Sequence, residues 1–201
     1  MTELEAVNTL LAMIGEAPID QLSTTAANEI TESTVARQTL AEVSRDVQAE
    51  GFSWNTDTNV QLSPMGSQFT VPSNHLRVTF DPRRYNPLPY VVRGNRIYDK
   101  TKQTYNLIGV PSLTIQAMVM LLPWDELPHQ AQQYITIRAG RIFGSRFVNS
   151  NAIYAYSIQD EEYARVMLMR AEESGPRHNF LWGDDGRGSS FQPSEGLLWR
   201  D

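Results

Sequence analysis

The spacing of apolar positions changes twice along the chain, and the changes divide it into three parts. At the start, Leu4, Val7, Leu11 and Ile14 recur at intervals of three and four. That spacing puts them on one face of a helix over Thr2 to Ile14. Thr2 and Glu5 have the separation of a capping box, Gly15 sits where a left-handed residue would end the helix, and Pro18 blocks a restart. Residues 19–28 form a polar connection with one apolar plug, Leu22. A second helix is expected from about Glu29 to Glu50, capped by Asn28 or a nearby threonine. Its inner face is Ala36, Leu40, Val43 and Val47, while Glu42, Arg45, Asp46 and Glu50 fall mostly on the outside. Gly51 ends it, and Phe52 and Trp54 are expected to pack back on the helices.

From about residue 55 to 122 the period shortens. Val, Thr and Tyr become frequent, and Pro and Gly punctuate at Pro64, Gly66, Pro72, Pro82, Pro87, Pro89, Gly94, Gly109 and Pro111. This predicts short strands joined by turns. Arg93-Gly94-Asn95 reads as a hairpin loop between PYVV and RIYD. Leu113, Ile115, Ala117, Val119 and Leu121 alternate as in a half-buried strand.

Helical spacing then returns. A third helix starts between Asp125 and Pro128, where proline is tolerated because a first-turn N–H has no helical partner. Its stripe is Ala131, Ile135, Ala139 and Ile142, with Tyr134 and Phe143 beside it. Asn149 to Asn151 breaks it. A fourth helix runs to about Glu173, with Tyr156, Tyr163, Val166, Met167 and Arg170 at helical spacing and Glu161 four residues before Arg165, the separation of a surface ion pair. Gly175-Pro176 ends it.

The expected fold is therefore α+β. Residues 1–54 and 123–175 form a four-helix core domain, residues 55–122 a β-rich insertion between helices two and three, and residues 176–201 an extended C-terminal arm. The arm is rich in Gly and Ser yet carries Phe180, Trp182, Phe191, Leu197, Leu198 and Trp199. A purely solvating tail rarely holds so many large apolar groups, so these residues are expected to dock on a neighbouring subunit or a partner, with wrapping around their own domain as the alternative.

Composition narrows the function. The chain has 201 residues, no cysteine and a hydrophobic fraction of 41%. That permits a real core and removes disulfides, thiolate metal sites and cysteine nucleophiles. The acidic start lacks the basic region of a signal peptide. No stretch reaches the eighteen or so apolar residues that cross a bilayer, so no membrane insertion is expected. A net charge of −6 argues against a conventional DNA-binding domain, whose affinity rests on a basic footprint. It leaves room for a channel wall past which DNA slides.

No residue set points to a catalyst, cofactor or metal. His75, His129 and His178 lack metal-motif spacing, and His129 falls in a first helical turn. Asp160-Glu161-Glu162 and Asp125-Glu126 are acidic runs, but adjacent helical residues diverge by about 100° and read as solvated faces. A carboxylate-based cell-wall hydrolase would need two of Glu126, Asp160, Glu161 and Glu162 about 5–10 Å apart across a cleft. Asp184-Asp185-Gly186-Arg187-Gly188 lacks the alternating oxygens and distal glutamate of a calcium loop. Gly140 and Gly144 permit close helix approach. Arg138, Arg141 and Arg146 form one small basic group, and Arg77, Arg83 and Arg84 another, fitted to subunit or partner contacts.

Five segments in order resemble the tail tubular protein A family, the adaptors of short-tailed phages. AVNTLLAMIGEAPI (6–19) is similar to its first helix and following turn, and QAEGFSWN (48–55) to the end of its second helix. VVRGNRIYDKTKQT (91–104) looks like its hairpin, WDELPHQAQQYITIRAGRIFGSRFVNS (124–150) like its third helix, and QDEEYARVMLMRAEE (159–173) like its last. The resemblance implies a structural, non-enzymatic virion protein, assembled in the host cytoplasm. It implies a dodecameric ring between portal and tail nozzle that passes double-stranded DNA without sequence-specific binding. Among the candidate contact residues, Arg138 and Arg141 join the six large apolar groups of the arm. A non-catalytic binding module of another assembly is the alternative reading.

Overall fold

The computed structural model describes residues 1–22, 32–85, 89–147 and 151–174, with backbone alone over 151–157. Four helices carry the fold: α1 (Glu3–Ile14), α2 (Glu32–Ala49), α3 (His129–Phe147) and α4 (Asn151–Ser174). Between α2 and α3 lie five strands: β1 (Thr56–Leu62), β2 (His75–Phe80), β3 (Tyr90–Arg93), β4 (Arg96–Asp99) and β5 (Leu113–Met120). The α+β class and the order helices, strands, helices are as expected from the sequence. The arm and the cap expected at Asn28 lie outside the described residues.

Helix α1 begins with the expected capping box: the Thr2 hydroxyl accepts from Glu5 N, and the Glu5 carboxylate accepts from Thr2 N. Gly15 ends it at φ 81°, a left-handed conformation that glycine adopts without a Cβ penalty. The buried face is Ala6, Val7, Leu10 and Leu11, which leaves Leu4 and Ile14 at its margins. On α2 the expected Ala36, Leu40, Val43 and Val47 are all buried. The α3 core is wider than the expected stripe. Ala131, Ile135 and Ala139 are buried, and so are Tyr134 and Phe143, whereas Ile142 is only half-buried. Asp125 and Glu126 belong to a separate 3₁₀ turn, Trp124–Glu126, before α3. Phe52 and Trp54 stack at 5.2 Å with rings 8° from parallel and pack on the helical core, as expected.

Helix α4 contributes Ala164 and Leu168 to this core. The helical spacing of Tyr163, Val166 and Met167 marks a different face: these side chains are 67%, 47% and 39% exposed. Small Ala164 fits against α3, so the larger apolar residues are left to the outside. Gly140 of α3 is the close-approach point with α1. A Cβ there would lie 2.4 Å from the Met13 sulfur, while one at Gly144 would meet nothing.

The insertion has its own core of Phe69, Val71, Phe80, Ile97, Leu107, Leu113, Ile115 and Met118. Its main sheet has the order β1-β5-β2, all antiparallel, with β5 central. The expected alternation along β5 holds only for its first half. Thr79 and Phe80 of β2 face Ala117 and Ile115, a register shift that leaves Gln116 as an extra residue. The bulge reverses the faces, because side chains alternate with period two. Leu113, Ile115, Met118 and Met120 therefore serve the insertion core, and Val119 turns toward Gly51 at the end of α2. The hairpin β3-β4 pairs Arg93 with Arg96, so its loop is Gly94-Asn95, with Gly94 at φ 61°.

Candidate functional site

The described residues present three surfaces able to make contacts: the α3–α4 seam, the outer face of α4 and the hairpin of the insertion. Each is built from residue types whose spacing the fold converts into a cluster.

At the seam, Arg138 and Arg141 of α3 are three apart and share one face. Both reach Glu161 of α4. Arg141 Nε donates to Glu161 Oε2, and Arg138 Nε lies 3.8 Å from Glu161 Oε1. Arg138 also donates to the Tyr134 hydroxyl at 3.0 Å. Burial works against the Arg138 charge. The Tyr134 hydrogen bond and the carboxylates of Glu161 and Glu50 outweigh it and hold the guanidinium pKa above its ordinary value. Glu161 is therefore not paired along its own helix as the sequence spacing implied. Arg165 instead reaches across to Glu50 at the end of α2, 3.3 Å away, and to the Tyr134 hydroxyl at 3.4 Å. Tyr134 is 1% exposed, so its hydroxyl is the inner end of an arginine-lined cleft of about 300 Å³.

The carboxylates of the two acidic runs have different surroundings. Asp160 and Glu162 stand exposed on α4, Glu161 is occupied by two arginines, and Asp125 and Glu126 are exposed in the turn before α3. Among the described residues there is no group of three metal-ligating side chains. His129 is exposed at the start of α3, and His75 Nδ1 lies 2.6 Å from the Pro72 carbonyl. No helix among these residues is long and apolar enough to cross a membrane.

Below the seam, a second cleft runs along α4 past Glu162, Arg165, Val166, Met169, Arg170 and Glu173. Its floor is apolar and its rim carries both signs of charge. Tyr163 and Met167 flank it on the outer face of the helix.

The hairpin forms the third surface. The Arg93 guanidinium lies 3.8 Å from the Tyr98 ring centre, Tyr98 meets Tyr105 edge-on at 4.9 Å, and Arg96 lies 4.5 Å from Tyr105. This arginine–tyrosine ladder is held in place from below by Asp99, whose buried carboxylate accepts from Thr101 N and Lys102 N. Residues 55–122 hold seven basic side chains (Arg77, Arg83, Arg84, Arg93, Arg96, Lys100, Lys102) against three acidic ones (Asp57, Asp81, Asp99), a charge of +4. The rest of the chain then carries −10, since the total is −6. Arg77 is also structural: it donates to the Glu50 carbonyl at 3.2 Å and so caps α2.

Of the eight candidate contact residues read from the sequence, Arg138 and Arg141 come together at the seam. Phe180, Trp182, Phe191, Leu197, Leu198 and Trp199 lie outside the described residues. Sequence reasoning missed the Arg165–Glu50 pair and the arginine–tyrosine ladder. The ladder had a signal in the alternation of Arg93, Arg96 and Tyr98, but Tyr105 joins it only through the fold.

The tail tubular protein family matches residues 4–177, which span all four helices and the whole insertion. The chain belongs to that family. It is accordingly a structural component of a phage tail, and its place is in the virion. No curated protein matches it. Membership assigns the seam, the α4 cleft and the hairpin to a protein that works by assembling with other virion proteins. It brings no catalytic residues to them.

Proposed function

We propose that the chain is one subunit of a dodecameric adaptor ring between the portal and the tail nozzle of a short-tailed phage. The observation that carries this reading is the tail tubular match over residues 4–177, which covers the helical domain and the insertion together. The ring passes double-stranded DNA during genome ejection and performs no catalysis. It assembles in the host cytoplasm.

The physical reasons concern surfaces. A closed ring needs a heterologous interface, in which two different patches of one subunit meet their complements on the neighbours. An acidic helical domain and a basic insertion supply patches of opposite sign, which steer head-to-tail approach. The arm, with its large apolar groups, links copies without enlarging the core. The net negative charge suits a wall past which DNA moves, because each tight phosphate contact would resist sliding.

Mass measured by light scattering, for the protein alone and after mixing with its portal ring, tests the proposal. The expected result is a portal-bound increment equal to a dodecamer. Absence of any complex with an intact portal would favour a non-catalytic module of another assembly.

A further inference from the structure

The hairpin β3-β4 and the turn after it hold charge that nothing in the described fold neutralises. Over residues 90–105, Arg93, Arg96, Lys100 and Lys102 stand against Asp99 alone, a charge of +3 in a chain of −6. All four cations are exposed, and among the described residues none of them makes an ion pair. Asp99 is buried and turned to the backbone, accepting from Thr101 N and Lys102 N. Arg93 and Arg96 also lie directly opposite each other across the two strands, a placement in which like charges destabilise a hairpin. An anion from outside the subunit would remove that cost.

The two arginines are also held in a set orientation. The Arg93 guanidinium lies 3.8 Å from the Tyr98 ring centre and that of Arg96 4.5 Å from Tyr105, and the two rings meet edge-on at 4.9 Å. Stacking occupies the flat face of a guanidinium and leaves its N–H fork, which matches a carboxylate through two parallel hydrogen bonds. Side chains fixed before binding lose little rotamer freedom when the anion arrives. We propose that this arginine pair is a docking site for a partner protein that presents clustered carboxylates. The inference rests on assembly with another protein and not on the ring proposed above.

Charge and geometry favour an acidic protein face over nucleic acid. A duplex carries phosphates along its whole length and would bring them toward the rest of the chain, which is at −10 outside residues 55–122. A protein face can match the hairpin alone. Single-stranded nucleic acid is held by bases stacked on aromatic rings, and here a guanidinium already lies over each of Tyr98 and Tyr105.

Fluorescence anisotropy of a labelled hexaglutamate peptide and, separately, of a short labelled DNA duplex tests the proposal, with full-length protein at low salt. Two double variants separate fork geometry from charge. Arg93→Lys/Arg96→Lys keeps both charges and loses the planar forks, whereas Lys100→Gln/Lys102→Gln removes two charges from the same region and keeps the ladder. Both leave the β3-β4 backbone pairs and the Asp99 turn in place, and a thermal midpoint equal to the native one verifies it. The single variants Arg93→Lys and Arg96→Lys replace the double variant if its midpoint falls. The native chain is expected to bind the peptide, with affinity lowered about tenfold or more by the arginine changes and about threefold or less by the lysine changes. No peptide binding by the native chain would overturn the proposal. So would a loss from the lysine changes equal to that from the arginine changes, which would reduce the site to diffuse charge. Tighter binding of the duplex, lost with the arginine forks, would overturn it in favour of a phosphate-binding surface.

Discussion

Gly51 shows how much a single residue can settle. It ends α2 at φ 83°, and a Cβ there would lie 2.6 Å from Arg77 Nη2 and 3.0 Å from Val119 Cγ2. Three elements converge on the space its missing side chain leaves: the end of α2, the cap from β2, and β5 after its bulge. Gly51→Ala would meet two costs, a left-handed conformation that L-residues avoid and displacement of the Arg77 cap from the Glu50 carbonyl. Together these predict a loss of about 2 kcal/mol, or about 4–8 °C in thermal midpoint for a chain of this size. Calorimetry of the variant checks it, and an unchanged midpoint would mean that Arg77 does not cap α2 in solution. Gly140 makes the contrast. The atoms a Cβ would meet are the end of the Met13 side chain, itself 40% exposed and free to swing away. A glycine in sequence marks both positions, and only the fold shows which is irreplaceable.

At the scale of elements, the informative feature is the joint between helical domain and insertion. Gln48 is fully buried near the end of α2. Its side-chain amide pairs with the backbone of Leu122: Oε1 accepts from Leu122 N at 2.7 Å, and Nε2 donates to Leu122 O at 3.1 Å. Asn55 repeats the device, donating to Gln48 O at 2.8 Å and Met120 O at 3.0 Å. Both chain crossings into the insertion are thereby tied to α2. Gln48→Ala would leave two part-buried backbone groups of Leu122 without their side-chain partner, at about 1–3 kcal/mol together. Amide exchange at Leu122 is expected to accelerate well before the α1–α3 core loosens. Equal protection at Leu122 in both proteins would show that the joint does not depend on Gln48. This joint was not legible in the sequence, because a glutamine amid helical spacing reads as an outer-face residue. The elements themselves were legible, since caps at Thr2 and Gly15 and the α2 stripe are local signals. Long-range partners decide the rest: a bulge at Gln116 reversed the second half of β5, and a better cross-helix partner drew Glu161 away from Arg165.

At the scale of the whole molecule, fold stability and assembly are expected to be separable, because the described residues already form a helical core. Among the described residues its buried side chains come from all four helices, Phe52 and Leu127, and residue 172 already returns to the turn just before the insertion, where Ser53 Oγ donates to Glu172 at 3.0 Å. Deleting residues 180–201 should therefore leave helix content unchanged and the thermal midpoint within about 2 °C. Its effect should appear in assembly. Burying Leu197, Leu198 and Trp199 stabilises a contact by about 2 kcal/mol each, against about 1–2 kcal/mol per residue for fixing the backbone. Ordering the backbone takes back much of that gain, so the net contribution of one arm to an interface is small. Such a contact is weak alone and would become consequential if repeated around the proposed ring. The truncated chain is thus expected to bind the portal ring with visibly lower occupancy and faster dissociation. Dodecamer formation at the full-length protein's concentration dependence would show that the arm adds nothing to the interface. The helical domain and the basic insertion would then have to supply its whole strength.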